Sequence, residues 1–190
     1  MKKFWIGFFS VFIVSFIVLG YSGLKIYQQA PPIPLKVVDA LGNIVTTSEE
    51  IKKGQNVWQA MGGMEVGSIW GHGSYVAPDW SADWIHREAL AMLDGMSLNE
   101  FNKKYDDLSS DKQALIKERF ASSIRKNTYD INTQNITISD LRATVYNRNV
   151  EYYSELFSKG KPEYAIPKES VTDKEKLKAS LDAQYFFGAP

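Results

Sequence analysis

The sequence contains no cysteine and only two histidines among its 190 residues. Without thiols the chain cannot form a disulfide, an iron–sulfur cluster or a thiolate zinc site, and it lacks the Cys-x-x-Cys-His motif that attaches a c-type haem. The two imidazoles, His72 and His86, do not follow a His-Glu-x-x-His or comparable ligand spacing. We therefore expect no zinc or haem site made by this chain alone.

An excess of charge of either sign is also missing, because 22 lysines and arginines balance 22 aspartates and glutamates. The sequence shows no basic stripe interleaved with aromatic residues, so we expect no nucleic-acid partner. It contains no glycine-rich phosphate loop and no Gly-x-Ser-x-Gly nucleophile turn. These absences remove nucleotide binding and serine hydrolysis from the candidate functions.

One long apolar run is present, from Phe4 to Leu24, and it contains no charged side chain. At about 1.5 Å per residue it is long enough for the ~30 Å hydrocarbon core of a bilayer. A cleaved signal peptide is the alternative, but the run exceeds the usual apolar stretch of about 7–15 residues. Lys2 and Lys3 precede the run, so the positive-inside rule places the N-terminus in the cytoplasm. We expect residues 1–27 to be a single-pass anchor of the cytoplasmic membrane, in contact with lipid, with an extracytoplasmic main domain.

The remaining sequence predicts a stiff linker and one mainly helical domain. Prolines make residues 28–34 an extended spacer. β-Branched residues on both sides of Leu41-Gly42-Asn43 predict a short β-hairpin, and residues 128–139 show a second extended pattern. We therefore expect one domain over residues 35–190, mainly α with a short β-hairpin.

Helix starts are predicted by capping patterns. A Ser/Thr followed three residues later by Glu/Gln is typical of a capping box, and the helix over the Tyr-rich segment is predicted to end at Gly160. The tyrosines of that segment, Tyr146, Tyr152 and Tyr153, are interpreted as core packing. The predicted caps are Thr47 with Glu50, Ser97 with Glu100, Ser110 with Gln113, Thr172 with Glu175, and Ser139 alone.

Chemically active side chains concentrate in residues 70–88, WGHGSYVAPDWSADWIHRE. Asp83, His86, Arg87 and Glu88 are close enough in sequence to form a charged network on one helix face. The sequence leaves open whether this network is functional or a hydrogen-bonded structural cluster. The glycines that precede it are interpreted as turn glycines.

Residues 54–89, GQNVWQAMGGMEVGSIWGHGSYVAPDWSADWIHREA, resemble the N-terminal extracytoplasmic region of quinol-dependent nitric oxide reductase, a member of the haem–copper oxidase superfamily. In that family a first membrane helix leads into a cytochrome-c-like helical domain. A membrane bundle then reduces nitric oxide to nitrous oxide. The resemblance implies the first two parts here, with a polytopic core of b-type haems and non-haem iron as partner. The sequence shows no second hydrophobic span, so the chain is expected to end before that bundle and to be inactive alone.

The resemblance also bears on haem c. In the related cytochrome-c-dependent enzymes a Cys-x-x-Cys-His motif precedes a Gly-x-Tyr-x-Ala-Pro segment. Aligning that segment with residues 73–78 places the attachment positions on Gly63, Val66 and Gly67, which supply neither thiol nor imidazole. The resemblance therefore implies a haem-less cytochrome-c-like domain, in which we expect apolar side chains to fill the space of the haem.

A calcium ion is implied by the same segment. In the relatives its glycine and tyrosine supply oxygen ligands to a calcium that bridges the propionates of two b-type haems, which points to the Gly73 carbonyl and to Tyr75. Calcium takes about 6–8 ligands, so this chain alone is expected to bind no cofactor. Tyr75 is expected at the domain surface, facing the membrane. Other contacts with the core are expected from the charged or titratable side chains of this region, namely His72, Asp79, Asp83, His86, Arg87 and Glu88.

Two other functions remain open. One is a free-standing, membrane-anchored interaction or assembly protein that docks on a separately encoded catalytic chain. The other is an independent sensor domain, which only the two histidines favour.

Overall fold

The computed structural model describes residues 2–29, 32–60, 66–169, 173, 175–179 and 181. The chain divides into two compact units, Met1–Ile33 and Pro34–Pro190. The first unit is helix α1, Lys2–Gln29, and none of its residues is buried within the protein. Among the described helices it is the one that is long and apolar enough to cross a membrane. The predicted N-terminal apolar helix is confirmed, and it continues two residues beyond the predicted anchor.

The second unit contains a small four-stranded sheet. Its strands are β1 (Lys36–Val38), β2 (Ile44–Thr47), β3 (Tyr129–Asp130) and β4 (Asn135–Thr137), arranged in the order β2-β1-β4-β3. Strands β1 and β2 form the predicted hairpin, and the carboxylate of Asp39 accepts hydrogen bonds from the backbone of the turn. The turn forms where Gly42 adopts φ +86°, a conformation that favours glycine.

The pairing of β1 with β4 is parallel, and it joins segments far apart in the chain. The sequence predicts the extended character of residues 128–139 but not this partner, because strand pairing over such a distance leaves no local signal. A hairpin of two strands is only marginally stable, so the additional pairs give the hairpin a wider sheet to belong to.

Five helices have firm bounds: α1, α2 (Ser48–Ala60), α3 (Trp80–Phe101), α4 (Ser110–Arg125) and α5 (Asp140–Lys159). Short 3₁₀ turns occupy Tyr105–Asp107 and Pro162–Tyr164, and residues 175–179 are helical. The mainly α fold with its N-terminal apolar helix is therefore confirmed, with a larger sheet than the hairpin predicted.

Two predicted helix caps form as expected. The backbone N–H of Thr47 donates to the Glu50 carboxylate at 3.0 Å, and the N–H of Glu50 donates to the Thr47 hydroxyl at 3.3 Å. Ser139 accepts from the Arg142 N–H at the start of α5, and that helix ends at Gly160. These signals are local, so the sequence alone locates them.

Two other predicted caps are wrong. Ser97 lies inside α3, where it is buried and donates its hydroxyl proton to the carbonyl of Lys103 at 2.6 Å. The capping residue of α4 is Ser109, whose side chain makes no cap hydrogen bond, while Gln113 donates to the carbonyl of Tyr105. In both places a contact outside the first turn engages the side chain that the pattern assigned to the cap. Thr172 lies outside the described residues.

The core of the second unit is built on aromatic rings from α3 and α5. Trp80 and Trp84 are fully buried. The ring of Trp84 stacks on Tyr153 with centroids 5.4 Å apart, and Trp80 meets Phe157 edge-on at 5.5 Å. Such pairs contribute about 0.5–1.5 kcal/mol beyond the burial of their area. The core packing predicted for Tyr153 is observed, and an aromatic interior occupies the region behind the loop that leads into α3.

Candidate functional site

The loop of residues 66–79 leads into α3, and two polar side chains hold it. The Asp79 carboxylate accepts a hydrogen bond from the Ser68 hydroxyl and another from the Gly71 N–H, each at 2.6 Å. The Ser68 oxygen in turn accepts from the Gly73 N–H at 2.8 Å. We call Ser68 and Asp79 the loop clamp. Their hydrogen bonds fix the backbone that carries Gly73 and Tyr75.

Asp79 also caps α3, because its second carboxylate oxygen accepts from the Ala82 N–H at 2.9 Å. Burial opposes ionisation, but the hydrogen bonds from Ser68, Gly71 and the first turn of α3 outweigh it and lower the pKa of Asp79. The ionised carboxylate is thus the form that both the loop and the helix start require.

Trp80 closes the base of this loop. Its indole N–H donates to the Val66 carbonyl at 2.9 Å. Gly67 has φ +131°, and a Cβ there would lie 2.2 Å from the Trp80 indole nitrogen and 2.7 Å from the Pro78 carbonyl oxygen. Glycine is therefore required at 67, both by its backbone conformation and by the indole that fills the adjacent space.

The segment from Gly73 to Ala77 forms a tight turn. Gly73 has φ +75°, and a Cβ there would lie 2.9 Å from the Ala77 carbonyl oxygen. The Ser74 N–H donates to that carbonyl at 2.8 Å, and the Ala77 N–H donates to the Ser74 hydroxyl oxygen at 3.1 Å. Tyr75 lies between them and is fully exposed, with a relative accessibility of 104%. The turn therefore presents the phenol to the outside of the domain.

The donors in the turn are few for a metal ion. Gly73 offers a carbonyl and Tyr75 a phenol, which are two oxygens of the kind a hard cation takes. Within the described ranges, no three His, Cys, Asp or Glu residues come together in a group able to hold a metal. Any calcium at this turn would need most of its ligands from another molecule or segment.

A second exposed aromatic side chain lies on the same loop. Trp70 adopts φ +51°, which is uncommon for a bulky residue, and its ring is 58% exposed. Its N–H donates to the Ser81 hydroxyl oxygen at 3.0 Å, which stabilises this conformation. A narrow apolar cavity of about 130 Å³ lies beside the ring, lined in part by Ile85 and Phe120. Trp70 thus presents apolar surface next to a groove of the same character.

Asp83 and Arg87 form a network with two tyrosines of α5. Arg87 donates to Asp83 at 2.8 Å and to the Tyr152 hydroxyl at 2.8 Å, and its guanidinium lies 3.7 Å from the Tyr152 ring centroid. Tyr153 donates its proton to the same Asp83 oxygen at 2.6 Å. Burial and this bond to Asp83 raise the pKa of Tyr153, so its phenol stays neutral. Burial opposes the charge of Arg87, but the bond to Asp83 outweighs it and raises its pKa.

The sequence-predicted site residues therefore do not form one cluster. Asp83 and Arg87 are paired, whereas Glu88 is 4% exposed and forms a separate ion pair with Arg142 of α5. His72 and His86 are exposed. Asp79 belongs to the loop clamp. For Asp83, Arg87 and Glu88 the hydrogen-bonded structural arrangement is observed, while the two histidines take no part in it.

Sequence reasoning missed the partners of these groups. Tyr152 and Tyr153 were assigned to packing alone, and Arg142 and Ser68 were given no role. The contacts between α3 and α5 join residues too distant in sequence to be read from a pattern. A local signal did exist for Asp79, because an aspartate directly before an apolar helical run is typical of an N-cap.

Comparison with known families gives one result. The family model for the cytochrome c-like domain of the nitric oxide reductase protein NorB matches residues 34–189. This match covers nearly all of the second unit and includes the loop clamp, Trp80 and the Asp83 network. No curated protein matches the chain. The chain therefore belongs to the NorB cytochrome c-like domain family of nitric oxide reductases.

Proposed function

We propose that this chain is the haem-free, extracytoplasmic cytochrome-c-like domain of a quinol-dependent nitric oxide reductase, and that it acts through the catalytic membrane core of that enzyme. The proposal depends chiefly on Gly67, where the Trp80 indole leaves no room for any side chain. By resemblance, this is the position at which a cytochrome of the related enzymes has its haem-binding histidine.

The residues present do not fit a c-type haem. The sequence has no cysteine for thioether bonds. Its only imidazoles, His72 and His86, are exposed rather than directed into the core. The Val66 carbonyl is already bonded to the Trp80 indole, so the backbone at the former attachment segment is committed to packing. Electron transfer through a haem of this domain is therefore not part of the proposed function.

The proposed role is contact with the core. Tyr75 and Trp70 are exposed on a loop that the clamp holds in place. Exposed aromatic side chains on an ordered loop are typical of a protein interface. At this interface the Gly73 carbonyl and Tyr75 phenol would contribute oxygen ligands to a calcium ion, and the core would supply the others. The chain's part would then be to position these two oxygens.

For topology we place the N-terminus in the cytoplasm and the second unit outside. The support is the pair Lys2 and Lys3 directly before the apolar helix α1. Protease added outside intact spheroplasts should digest the chain beyond about Pro34 and leave α1 protected. Digestion only after the cells are lysed would contradict this orientation.

The calcium proposal is tested with Tyr75→Phe in the assembled reductase. The exchange removes one exposed hydroxyl, so unfolding of the domain should change by less than about 0.5 kcal/mol. Calcium retained after gel filtration, measured by elemental analysis, should fall, and nitric oxide reduction should fall with it. The matched control is Tyr129→Phe, which removes a phenol from β3. Unchanged calcium in Tyr75→Phe would refute the ligand assignment, and destabilisation by several kcal/mol would make Tyr75 a packing residue.

A further inference from the structure

A polar groove between α3 and α5 is not explained by the proposed function. One stripe of α3 and one stripe of α5 line a cavity of about 220 Å³. A water molecule occupies about 30 Å³ in the liquid, so the space exceeds that of a single bound water. It is smaller than the roughly 300–1,000 Å³ of pockets for drug-sized ligands, which limits an occupant to a small molecule. The lining residues are Arg87, Leu90, Ala91, Asp94, Arg148, Asn149 and Tyr152.

Asn149 supplies a polar group without a partner in this groove. The residue is 4% exposed, and its side-chain N–H₂ has no hydrogen bond to the described part of the chain. A buried amide that lacks a partner costs about 1–3 kcal/mol. Asn149 follows one residue after Arg148 and lines the same cavity. The unsatisfied donor therefore points to an acceptor that the groove receives from outside.

The groove also holds one cation and one anion that are not paired with each other. Arg148 is exposed and forms no ion pair within the described residues. Asp94 accepts the Tyr105 N–H through one carboxylate oxygen, and its other oxygen makes no hydrogen bond there. Arg87 adds no net charge because it is bonded to Asp83. The groove thus offers a guanidinium and an amide donor together with a carboxylate acceptor.

We infer that this groove is a binding site for a small zwitterion of the α-amino-acid type. Its carboxylate accepts from Arg148 and Asn149, and its ammonium group donates to Asp94. A simple anion would meet the charge of Asp94, and a simple cation would meet that of Arg148, so a molecule with both charges fits best. Leu90, Ala91 and the Tyr152 ring supply apolar contact for a short side chain.

The experiment is calorimetric titration of the full chain in detergent with each of the twenty amino acids, and with acetate and methylammonium as the two charged halves. At least one amino acid should bind saturably, and each half should bind at least tenfold more weakly. Arg148→Gln and Asp94→Asn should each lower the affinity for that amino acid about tenfold, because each removes a charged hydrogen bond. Arg125→Gln, at an exposed arginine of α4 outside the groove, should bind like the parent chain.

Asn149→Leu separates binding from folding. Because the amide donor has no partner in the described structure, its loss should leave the denaturation midpoint unchanged or raised while the amino acid no longer binds. The inference is overturned if no amino acid binds saturably, if acetate binds as tightly as the amino acid, or if Arg148→Gln and Asp94→Asn both leave the affinity unchanged. A strongly lowered midpoint in Asn149→Leu would assign the amide a structural role instead.

Discussion

Replacing Gly67 with alanine tests the proposed loss of the haem site most sharply. The new Cβ would lie 2.2 Å from the indole nitrogen of Trp80, a side chain that is fully buried and hydrogen-bonded to Val66. Neither the indole nor the Pro78 backbone, 2.7 Å away, is the free end of a flexible side chain. Relief of the overlap therefore requires the indole to leave its site or the loop to shift.

The expected loss of stability has three sources. An L-residue held at φ +131° pays about 1–3 kcal/mol of backbone strain. Forcing an extra carbon into a packed core adds about 1–3 kcal/mol. Displacing the indole breaks its hydrogen bond to Val66, which contributes about 0.5–1.5 kcal/mol. Together these give about 3–7 kcal/mol, a large part of the roughly 5–15 kcal/mol that stabilises a typical domain.

The assay is denaturant unfolding of the full chain in detergent, followed by tryptophan fluorescence. The matched control is Gly42→Ala, because Gly42 also has positive φ, +86°, but a Cβ there would meet no atom within 4 Å. It should lose only the conformational cost of about 1–2 kcal/mol. If the two variants unfold within about 1 kcal/mol of each other, the crowding at Gly67 is wrong and the argument against a side chain at this position fails.

Two further predictions concern the charged groups. The folded pKa of Asp79 lies below its unfolded value of 3.8, so its stabilisation is present above that pH and lost as the pH falls through the folded pKa. Asp79→Asn should therefore flatten the fall of the unfolding free energy below about pH 4, and an unchanged acid limb in urea titrations would contradict this. Glu88→Gln should lower stability by about 3 kcal/mol, because a buried pair with Arg142 loses its anion. A change below about 1 kcal/mol in chemical unfolding would show that solvent already screens the pair.

The elements that the sequence predicted correctly depend on neighbours in the chain. The Thr47 and Glu50 capping box, the Gly42 turn and the apolar run of α1 each use residues within a few positions of one another. The Ser97 pattern is equally local but wrong, because the helix continues to Phe101 and buries Ser97 against the Lys103 carbonyl. Tertiary contacts override the capping preference there.

The candidate site was less predictable because its geometry is non-local. The resemblance named Gly67 as an empty haem position, but only the structure shows that Trp80 fills the adjacent space. Asp83 was correctly singled out, yet its partner Tyr153 lies 70 positions away on α5. Long-range pairs of this kind leave no periodicity in a single sequence, and β1 with β4 is a further case.

The most direct test is the pyridine haemochrome spectrum of protein isolated from its own membranes through a tag on this chain. If the chain acts as a haem-free domain on a catalytic core, the preparation should contain b-type haem extractable by acid acetone. No covalently bound haem should remain on the chain, which has no cysteine. A c-type spectrum from the chain, or a preparation without any haem, would contradict the account.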